Sequence, residues 1–258
     1  MNLTGKISTM LALAMLCGAA AHAGVLMEEE QSTSGSVSRP EGTNRKQTVM
    51  VEGDKQKIVM DKQYVILDVD KGMMTVVDPS DKTYSELPFS MAKSFASISY
   101  NMDFKKTGNQ KTIAGYKCVE YTGSGKSPSG EYSETACYSK DAPGAAEYDK
   151  LQKAMAGKLG AEAAGAGNRP EGVPLESKKT AKITSFSMPG MSPEQAKALT
   201  QMLANRPPMT STTTVTKITD EKLPADTFAI PQGYTKREMP HGPGPSMGKP
   251  AAPPAGNP

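Results

Sequence analysis

From Gln47 onward, short runs with an extended, β-type pattern of apolar and polar positions follow one another, separated by turn residues. Turn-forming sequences such as Asp70-Lys71-Gly72 and Asp78-Pro79-Ser80 separate several of these runs and supply the backbone angles of tight reversals. Strands joined by such short connections pair antiparallel with their neighbours. The pattern therefore predicts a β-meander, with strands over 48–52, 58–61, 64–69, 73–77 and 83–87.

Later runs predict further strands over 100–106, 112–121, 132–140, 175–188 and 210–219, and a last ordered element at 228–231. Helical spacing of apolar residues predicts a helix over 145–160 and another over 192–205, where Ser192 and Gln195 occupy capping-box positions. A third, brief helix is predicted over 90–98. The expected fold is α+β: a large curved antiparallel sheet of about 8–10 strands, with two or three helices packed on its concave face.

The chain begins with the layout of a secretory signal peptide. Lys6 is followed by an apolar run over 10–16 and by the small-residue sequence Ala21-His22-Ala23, so cleavage is expected after Ala23 and the protein is expected in the periplasm. The apolar run is too short to span a bilayer, which takes about 20 residues. Lipidation of Cys17 is the alternative, but Leu16 stands where a small residue is required.

The amino-acid composition divides the rest of the chain into a leader, a folded domain and a tail. Residues 24–45 are polar and aperiodic and are predicted to be a flexible leader. The folded domain is expected over 46–238, interrupted by a mobile Ala-, Gly- and Pro-rich connection at 160–174. Residues 239–258 are Pro- and Gly-rich and are predicted to be a disordered tail. The net charge of +3 is spread along the chain, so nucleic acid is not an expected partner.

Cys118 and Cys137 remain as a pair once Cys17 leaves with the signal peptide. In an oxidising compartment such a pair forms a structural disulfide. A redox or metal-binding pair is the alternative, but the spacing fits neither a C-x-x-C motif nor a pair of zinc ligands. A hairpin between the runs 112–121 and 132–140 places both cysteines on one face, diagonal to each other.

Histidine-dependent chemistry has no support in the sequence. His22 lies in the predicted signal peptide and His241 in the predicted tail, whereas a catalytic imidazole must be held rigidly. Gly125-Lys126-Ser127 and residues 68–72 imitate parts of a phosphate loop and a calcium loop without the rest of either motif. A carboxylate pair for glycoside hydrolysis stays open, because such a pair is defined only in space. We expect no metal, no cofactor and no enzymatic activity.

Three pieces of sequence, in this order and spacing, resemble an exported bacterial family, the domain-of-unknown-function family 4412. They are Asp-Pro-Ser-Asp-Lys-Thr-Tyr at 78–84, Lys-Thr-Ile-Ala-Gly-Tyr-Lys-Cys at 111–118 and Phe-Ala-Ile-Pro-Gln-Gly-Tyr at 228–234. The resemblance covers roughly residues 46–238. That family is similar in general shape to the lipoprotein carriers LolA and LolB, which implies a curved sheet wrapped around an apolar cavity under helices.

Two functional hypotheses follow. In the first, which the sequence favours, the protein binds an apolar or lipid-like ligand in the concave face of its sheet. In the second, it is a structural or interaction protein of the cell envelope with a filled core, and its partner is another envelope protein. Methionine is abundant, with 17 residues. Its flexible side chain can fill an irregular core or line an apolar ligand site. The sequence gives little support for copper(I) binding by methionine. The residues expected to line the ligand site or core are Met60, Ile66, Met74, Phe95, Met102, Phe186 and Met202.

Overall fold

The computed structural model of the protein describes residues 24–35, 42–90, 102–127, 130–159, 169–185 and 191–238. Within them, twelve strands join into one sheet in the order β12-β6-β5-β4-β3-β2-β1-β11-β10-β9-β8-β7. The strands are β1 Gly24–Ser34, β2 Thr43–Glu52, β3 Lys55–Met60, β4 Gln63–Asp68, β5 Met73–Asp78, β6 Thr83–Pro88, β7 Asp103–Ile113, β8 Tyr116–Ser127, β9 Gly130–Ser139, β10 Val173–Ile183, β11 Met209–Glu221 and β12 Thr235–Lys236.

The prediction of a large antiparallel sheet is confirmed. Neighbouring strands from β6 to β7 in that order all pair antiparallel, and only β12 pairs parallel, on β6. Two series of consecutive hairpin-connected strands, β1–β6 and β7–β9, are joined through β10 and β11. The described residues form twelve strands where about 8–10 were predicted, because β1 and β12 were not recognised in the sequence.

The first unrecognised strand is β1. Residues 24–34 fall in the predicted flexible leader, yet they form a strand between β2 and β11, with Val25 paired to Val51 and Met27 to Ile218. Val25 and Met27 are fully buried, whereas from Glu28 onward the strand is polar on both faces. Because the second half of β1 is polar on both faces, it lacks the alternation of apolar and polar residues that indicates a half-buried strand.

A tight turn divides the predicted strand 112–121 into the end of β7 and the start of β8. Ala114 and Gly115 both have positive φ, 49° and 86°. Two such residues in a row form the turn whose twist matches that of a two-stranded ribbon, so the Ala-Gly pair starts a hairpin rather than continuing a strand. Ile113 and Tyr116 then face each other across it.

The described residues include two complete helices, α1 Ala145–Leu159 and α2 Pro193–Ala204. The capping box of α2 is confirmed, because Ser192 Oγ accepts from Gln195 N and Gln195 Oε1 accepts from Ser192 N. Helix α1 contacts β2 and β10 and buries residues against the sheet, whereas α2 contacts only β10 among the described strands with which either helix makes extensive contact. Helix α2 contains no buried residue, because it lies in the connection between β10 and β11. The predicted helix 90–98 lies outside the described residues apart from Ser90.

The sheet is apolar on both faces. On the inner face, defined as the one that α1 covers, the main core joins Val25, Val51, Val215, Leu151 and Leu175. On the outer face, a smaller cluster contains Tyr64, Ile66 and Val77, with Phe228 and Tyr234 packed against it. The two clusters lie on opposite faces because side chains alternate along β4: Tyr64 and Ile66 point outward, and Leu67 joins the main core.

The C-terminal segment, residues 222–238, covers the outer cluster and ends along the edge of the sheet. Lys57 Nζ donates to the carbonyl of Thr227 at 2.9 Å and lies 4.3 Å from the centre of the Tyr64 ring. Thr235 N then donates to the carbonyl of Lys82 at 2.9 Å. The predicted last ordered element, 228–231, forms turns and irregular backbone, and a short strand follows it at Thr235–Lys236.

Candidate functional site

The structure does not gather the described candidate lining residues around one cavity. Met60 lies on β3 and Met74 packs at the margin of the main core. Ile66 belongs to the outer cluster, Met102 is buried just before β7, and Met202 on α2 is 42% exposed. Phe95 and Phe186 lie outside the described residues. A ligand on one face of the sheet could not contact both Ile66 and Met74.

Helix α1 occupies the apolar part of the inner face. Leu151 is completely buried and joins the core that contains Val25 and Met27 from β1, and Ala154 and Met155 pack beside it. The sequence predicted the apolar stripe of α1 that contains Tyr148, Leu151 and Met155. The helix itself therefore fills the surface on which an apolar ligand would have to lie.

Beyond α1 the inner face is polar, and it holds a buried ion pair. Glu134 on β9 is 2% exposed and accepts from Ser177 Oγ at 2.8 Å. Its other carboxylate oxygen lies 3.6 Å from Nη2 of Arg169, whose side chain is 18% exposed. Glu134 contacts Ser177 because β9 and β10 are paired and residues 134 and 177 point to the same face of the sheet.

Glu29 on β1 extends this polar layer across the sheet. Gln47 Nε2 on β2 donates to Glu29 Oε2 at 2.6 Å, and burial raises the pKa of Glu29 despite that bond and the nearby charge of Lys179. Tyr148 on α1 lies close to the charges of Arg169, Glu29 and Glu134, and burial raises its pKa to about 12. Its hydroxyl therefore keeps its proton at neutral pH.

A cleft of about 240 Å³ opens between α1 and the segment that enters β10. Tyr138 forms part of its wall; the side chain is 3% exposed, and its ring meets those of Phe104 and Tyr121 edge to face. Burial also raises the pKa of Tyr138. Its hydroxyl has no hydrogen-bond partner among the described residues. The full lining is Tyr138, Tyr148, Asp149, Gln152, Lys153, Ala156, Arg169, Pro170, Glu171 and Gly172.

The carboxylates around this cleft already have donors. Gly172 N donates to Asp149 Oδ1 at 2.9 Å, and Lys140 Nζ lies 2.7 Å from Glu171 Oε2. These contacts fix residues 169–172 on α1 and β9. The sequence had assigned those residues to a mobile connection, 160–174, and for 169–174 that was wrong, because Val173 is fully buried at the start of β10.

Sequence reasoning missed Glu134, Tyr138 and Arg169 as site residues. Glu134 and Tyr138 share one face of β9 by simple alternation, and this pattern was visible in the predicted strand 132–140. Arg169 gave no signal, since it stands in an Ala- and Gly-rich stretch. Only the pairing of β9 with β10 brings its guanidinium to Glu134.

Cys118 and Cys137 form a buried disulfide between β8 and β9, each 1% exposed. Cys137 pairs across the hairpin with Glu120, two residues from Cys118, so the two cysteines are diagonal neighbours on one face. A bond this buried is shielded from thiols in solution, which suits a structural disulfide.

The described residues contain no group of three or more His, Cys, Asp or Glu side chains that could hold a metal ion. Both histidines lie outside them.

Of the helices that the structure describes, none is long and apolar enough to cross a membrane. The predicted signal peptide and tail also lie outside the described ranges.

The family model for the domain of unknown function DUF4412 matches residues 36–175, more than half of the chain. The chain belongs to this family. The matched range contains two of the three sequence pieces that suggested the resemblance, and the third, at 228–234, lies beyond it. No curated protein matches the chain.

Among solved structures, the chain is similar to PNGF-II in two crystal forms, with TM-scores of 0.40 and 0.39 and 9% and 11% identity. These matches cover 84% of this chain and 32% and 31% of the PNGF-II chains. It is also similar to MucB, solved in complex with MucA(peri), with a TM-score of 0.34, 12% identity and coverage of 79% of this chain and 52% of MucB. The chain thus spans about a third of PNGF-II and half of MucB, and likenesses at this level say nothing about activity or partners.

Proposed function

We propose that this protein is an exported, non-enzymatic interaction protein of the periplasm, and that its own helix α1 covers the apolar part of the inner face of its sheet. The observation that carries this proposal is the complete burial of Leu151 among the core residues of the inner face. A carrier of the LolA type needs an apolar surface that is free to receive its ligand. Here the described apolar surface is already covered, and the inner face beyond α1 is polar.

Export is supported by the signal-peptide layout of residues 1–23 and by the buried Cys118–Cys137 bond, since disulfides persist in oxidising compartments. The absence of enzymatic activity is proposed from the sequence, whose two histidines stand in a predicted signal peptide and a predicted tail. A binding or interaction role is compatible with this family, whose model carries no activity in its description.

Native mass spectrometry of the protein secreted from a bacterial host tests the proposal against a lipid carrier. The expected spectrum is that of the polypeptide from Gly24 with one disulfide and no bound lipid. A lipid adduct that survives gentle ionisation and is lost on denaturation would instead support the apolar-ligand hypothesis. A mass that still includes residues 1–23 would contradict export by a cleaved signal peptide.

A further inference from the structure

We propose that the open edge of β7 binds an acidic, extended segment of a partner protein, which joins the sheet as a further strand. This proposal rests on the proposed interaction function and names the surface and the chemistry of the partner. The chain treats the two ends of its sheet differently. At one end β12 pairs with β6, and Arg237 N donates to the carbonyl of Tyr84 at 2.7 Å. At the other end β7 comes last, and no described strand pairs with its free side.

The backbone of β7 presents hydrogen-bonding groups on that free side. In a hairpin with a two-residue turn, the residues that flank the turn exchange hydrogen bonds, and here these are Ile113 and Tyr116. Because the bonds alternate along an antiparallel pair, the N–H and C=O groups of Thr112 and Gln110 point away from β8. Residues 105–112 are all exposed. These groups are therefore open to pairing with another strand.

A bulge limits how far an added strand can pair. The pairing of β7 with β8 shifts across residues 107–109. Thr107 Oγ1 and Asn109 Nδ2 both donate to Glu120 on β8, at 2.9 Å and 2.8 Å, and these bonds hold the bulge against that strand. The continuous free edge is therefore formed by residues 110–113, and a short segment fits it better than a long strand.

Two lysine side chains lie on one face of the sheet beside this edge. Lys117 on β8 is opposite Thr112, and Lys106 is opposite Tyr121. Lys117 and Tyr121 are four residues apart in one strand and therefore share a face, so both ammonium groups belong to that face. Both lysines are exposed, and neither forms an ion pair with another described residue.

The carboxylates of β7 and β8 do not neutralise this face. The carboxylate of β8, Glu120, points to the other face, where it lies 3.6 Å from Lys111. The carboxylate of β7, Asp103, is at the start of the strand, 4.0 Å from Lys105. The face that holds the two exposed lysines therefore keeps their positive charges.

These charges favour an acidic partner and oppose self-association. Two copies of β7 paired edge to edge would bring the lysines of one copy close to those of the other, which is unfavourable. Glutamate or aspartate at alternate positions of an added strand would instead face the two ammonium groups. The same lysines thus exclude a second copy of this chain and select an acidic segment.

The experiment is a titration of the ¹⁵N-labelled protein, residues 24–258, with three peptides, followed by NMR at low and constant ionic strength. The first peptide is acetyl-Val-Glu-Thr-Glu-Val-Glu-amide, whose glutamates share one face of a strand. The second has Gln in place of each Glu. The third is the acidic peptide N-methylated at every amide, which keeps the charges and removes the hydrogen-bond donors. With the first peptide, the Gln110 and Thr112 amides should shift saturably and exchange their hydrogens more slowly. Binding should be weaker with the second peptide and absent with the third.

Variants of the protein test the same contacts. Lys106→Gln and Lys117→Gln are each expected to weaken binding of the acidic peptide about two- to fivefold, the effect of losing one exposed ion pair. Lys62→Gln removes the same charge from the turn between β3 and β4, far along the sheet, and should leave binding unchanged. Thr112→Pro removes the outward N–H and should abolish binding. Thr112→Ala keeps that N–H and should bind like the natural protein.

Three results would overturn the proposal: no shift of the β7 amides with the acidic peptide, equal binding of the N-methylated peptide, or equal binding by a folded Thr112→Pro variant and its Ala control. The N-methylated peptide tests the same hydrogen bonds without any change in the protein, so the proposal stays testable even if Thr112→Pro does not fold. Each of these failures leaves the lipid test of the proposed function unaffected and shows that an interaction partner must use another surface.

Discussion

Gly144 lies directly against Val25: a Cβ atom placed on Gly144 would come within 1.8 Å of Cγ2 of Val25. This contact joins the residue just before α1 to the first strand of the sheet. Gly144 also has a φ of +69°, which glycine adopts without strain. The entry of α1 onto the inner face therefore depends on the absence of a side chain at this one position.

Replacing Gly144 with Ala is expected to destabilise the protein by about 3 kcal/mol, since overpacking a core costs about 1–3 kcal/mol and positive φ adds about 1 kcal/mol. Urea unfolding followed by circular dichroism measures the change. Gly157→Ala within α1 is the matched control, because nothing lies within 4 Å of its Cβ position. That control should gain up to about 1 kcal/mol from helix propensity. Equal effects of the two substitutions would contradict the packing argument.

The Glu134–Arg169 pair predicts strong coupling between two substitutions. Arg169→Met leaves the 2%-exposed carboxylate of Glu134 without its cation, and breaking a buried pair this way costs about 3–5 kcal/mol. Glu134→Gln keeps an acceptor for Ser177 and removes the charge, so the double variant should recover part of the loss. A double-mutant cycle in urea at pH 7 measures this coupling. Strictly additive effects would show that the two side chains do not interact.

Burial of Glu29 predicts a pH-dependent gain from Glu29→Gln. Burial raises the pKa of Glu29 above its ordinary value of 4.5, so the folded state holds the proton more tightly than the unfolded state. As the pH rises above 4.5, ionisation therefore costs the folded state free energy. The variant should be more stable than the natural protein at neutral pH, and the difference should shrink as the pH falls to 4.5.

Thermal unfolding between pH 4 and 8 checks the effect of Glu29→Gln. The control is Glu30→Gln on the neighbouring residue, whose side chain is 57% exposed beside Lys46. A surface change of that kind stays within about 0.5 kcal/mol. A Glu29 variant that is less stable than the natural protein across the whole range would refute the desolvation argument.

The disulfide is expected to stabilise the fold by closing a loop of the chain. Cys118 and Cys137 are 19 residues apart, and a loop of about that length stabilises a fold by about 3 kcal/mol. The double variant Cys118→Ala/Cys137→Ala should lose that amount in urea unfolding. Refolding from urea in dithiothreitol, which reduces the bond while the chain is unfolded, should lower the stability of the natural protein toward that of the variant and leave the variant unchanged. If reduction leaves the natural protein as stable as before, the bond has no such role.

Local chemistry determined much of this fold from the sequence. The strands β4 and β5 and the turn between them follow from two short runs rich in β-favouring residues and from Asp70-Lys71-Gly72 between them, because these signals act over a few residues. The relation of Cys118 to Cys137 follows in the same way, since hairpin geometry alone places them on one face. The helix caps of α2 at Ser192 and Gln195 are equally local.

Tertiary structure decided what depends on contacts between distant parts of the chain. Strand β1 is held by β11, with Met27 opposite Ile218, and its polar half carries no alternation of its own. Arg169 reaches Glu134 only because the segment that enters β10 runs beside β9. Lys57 reaches Thr227 only because the C-terminal segment folds over the outer face. The periodicity of a sequence predicts which face of a helix or strand is apolar. Which other part of the chain covers that face depends on how the whole sheet packs. For this reason the sequence determined the strands, the hairpins and the cysteine pair, and only the assembled sheet decided that α1 covers the apolar part of the inner face and that a polar cleft opens beside it.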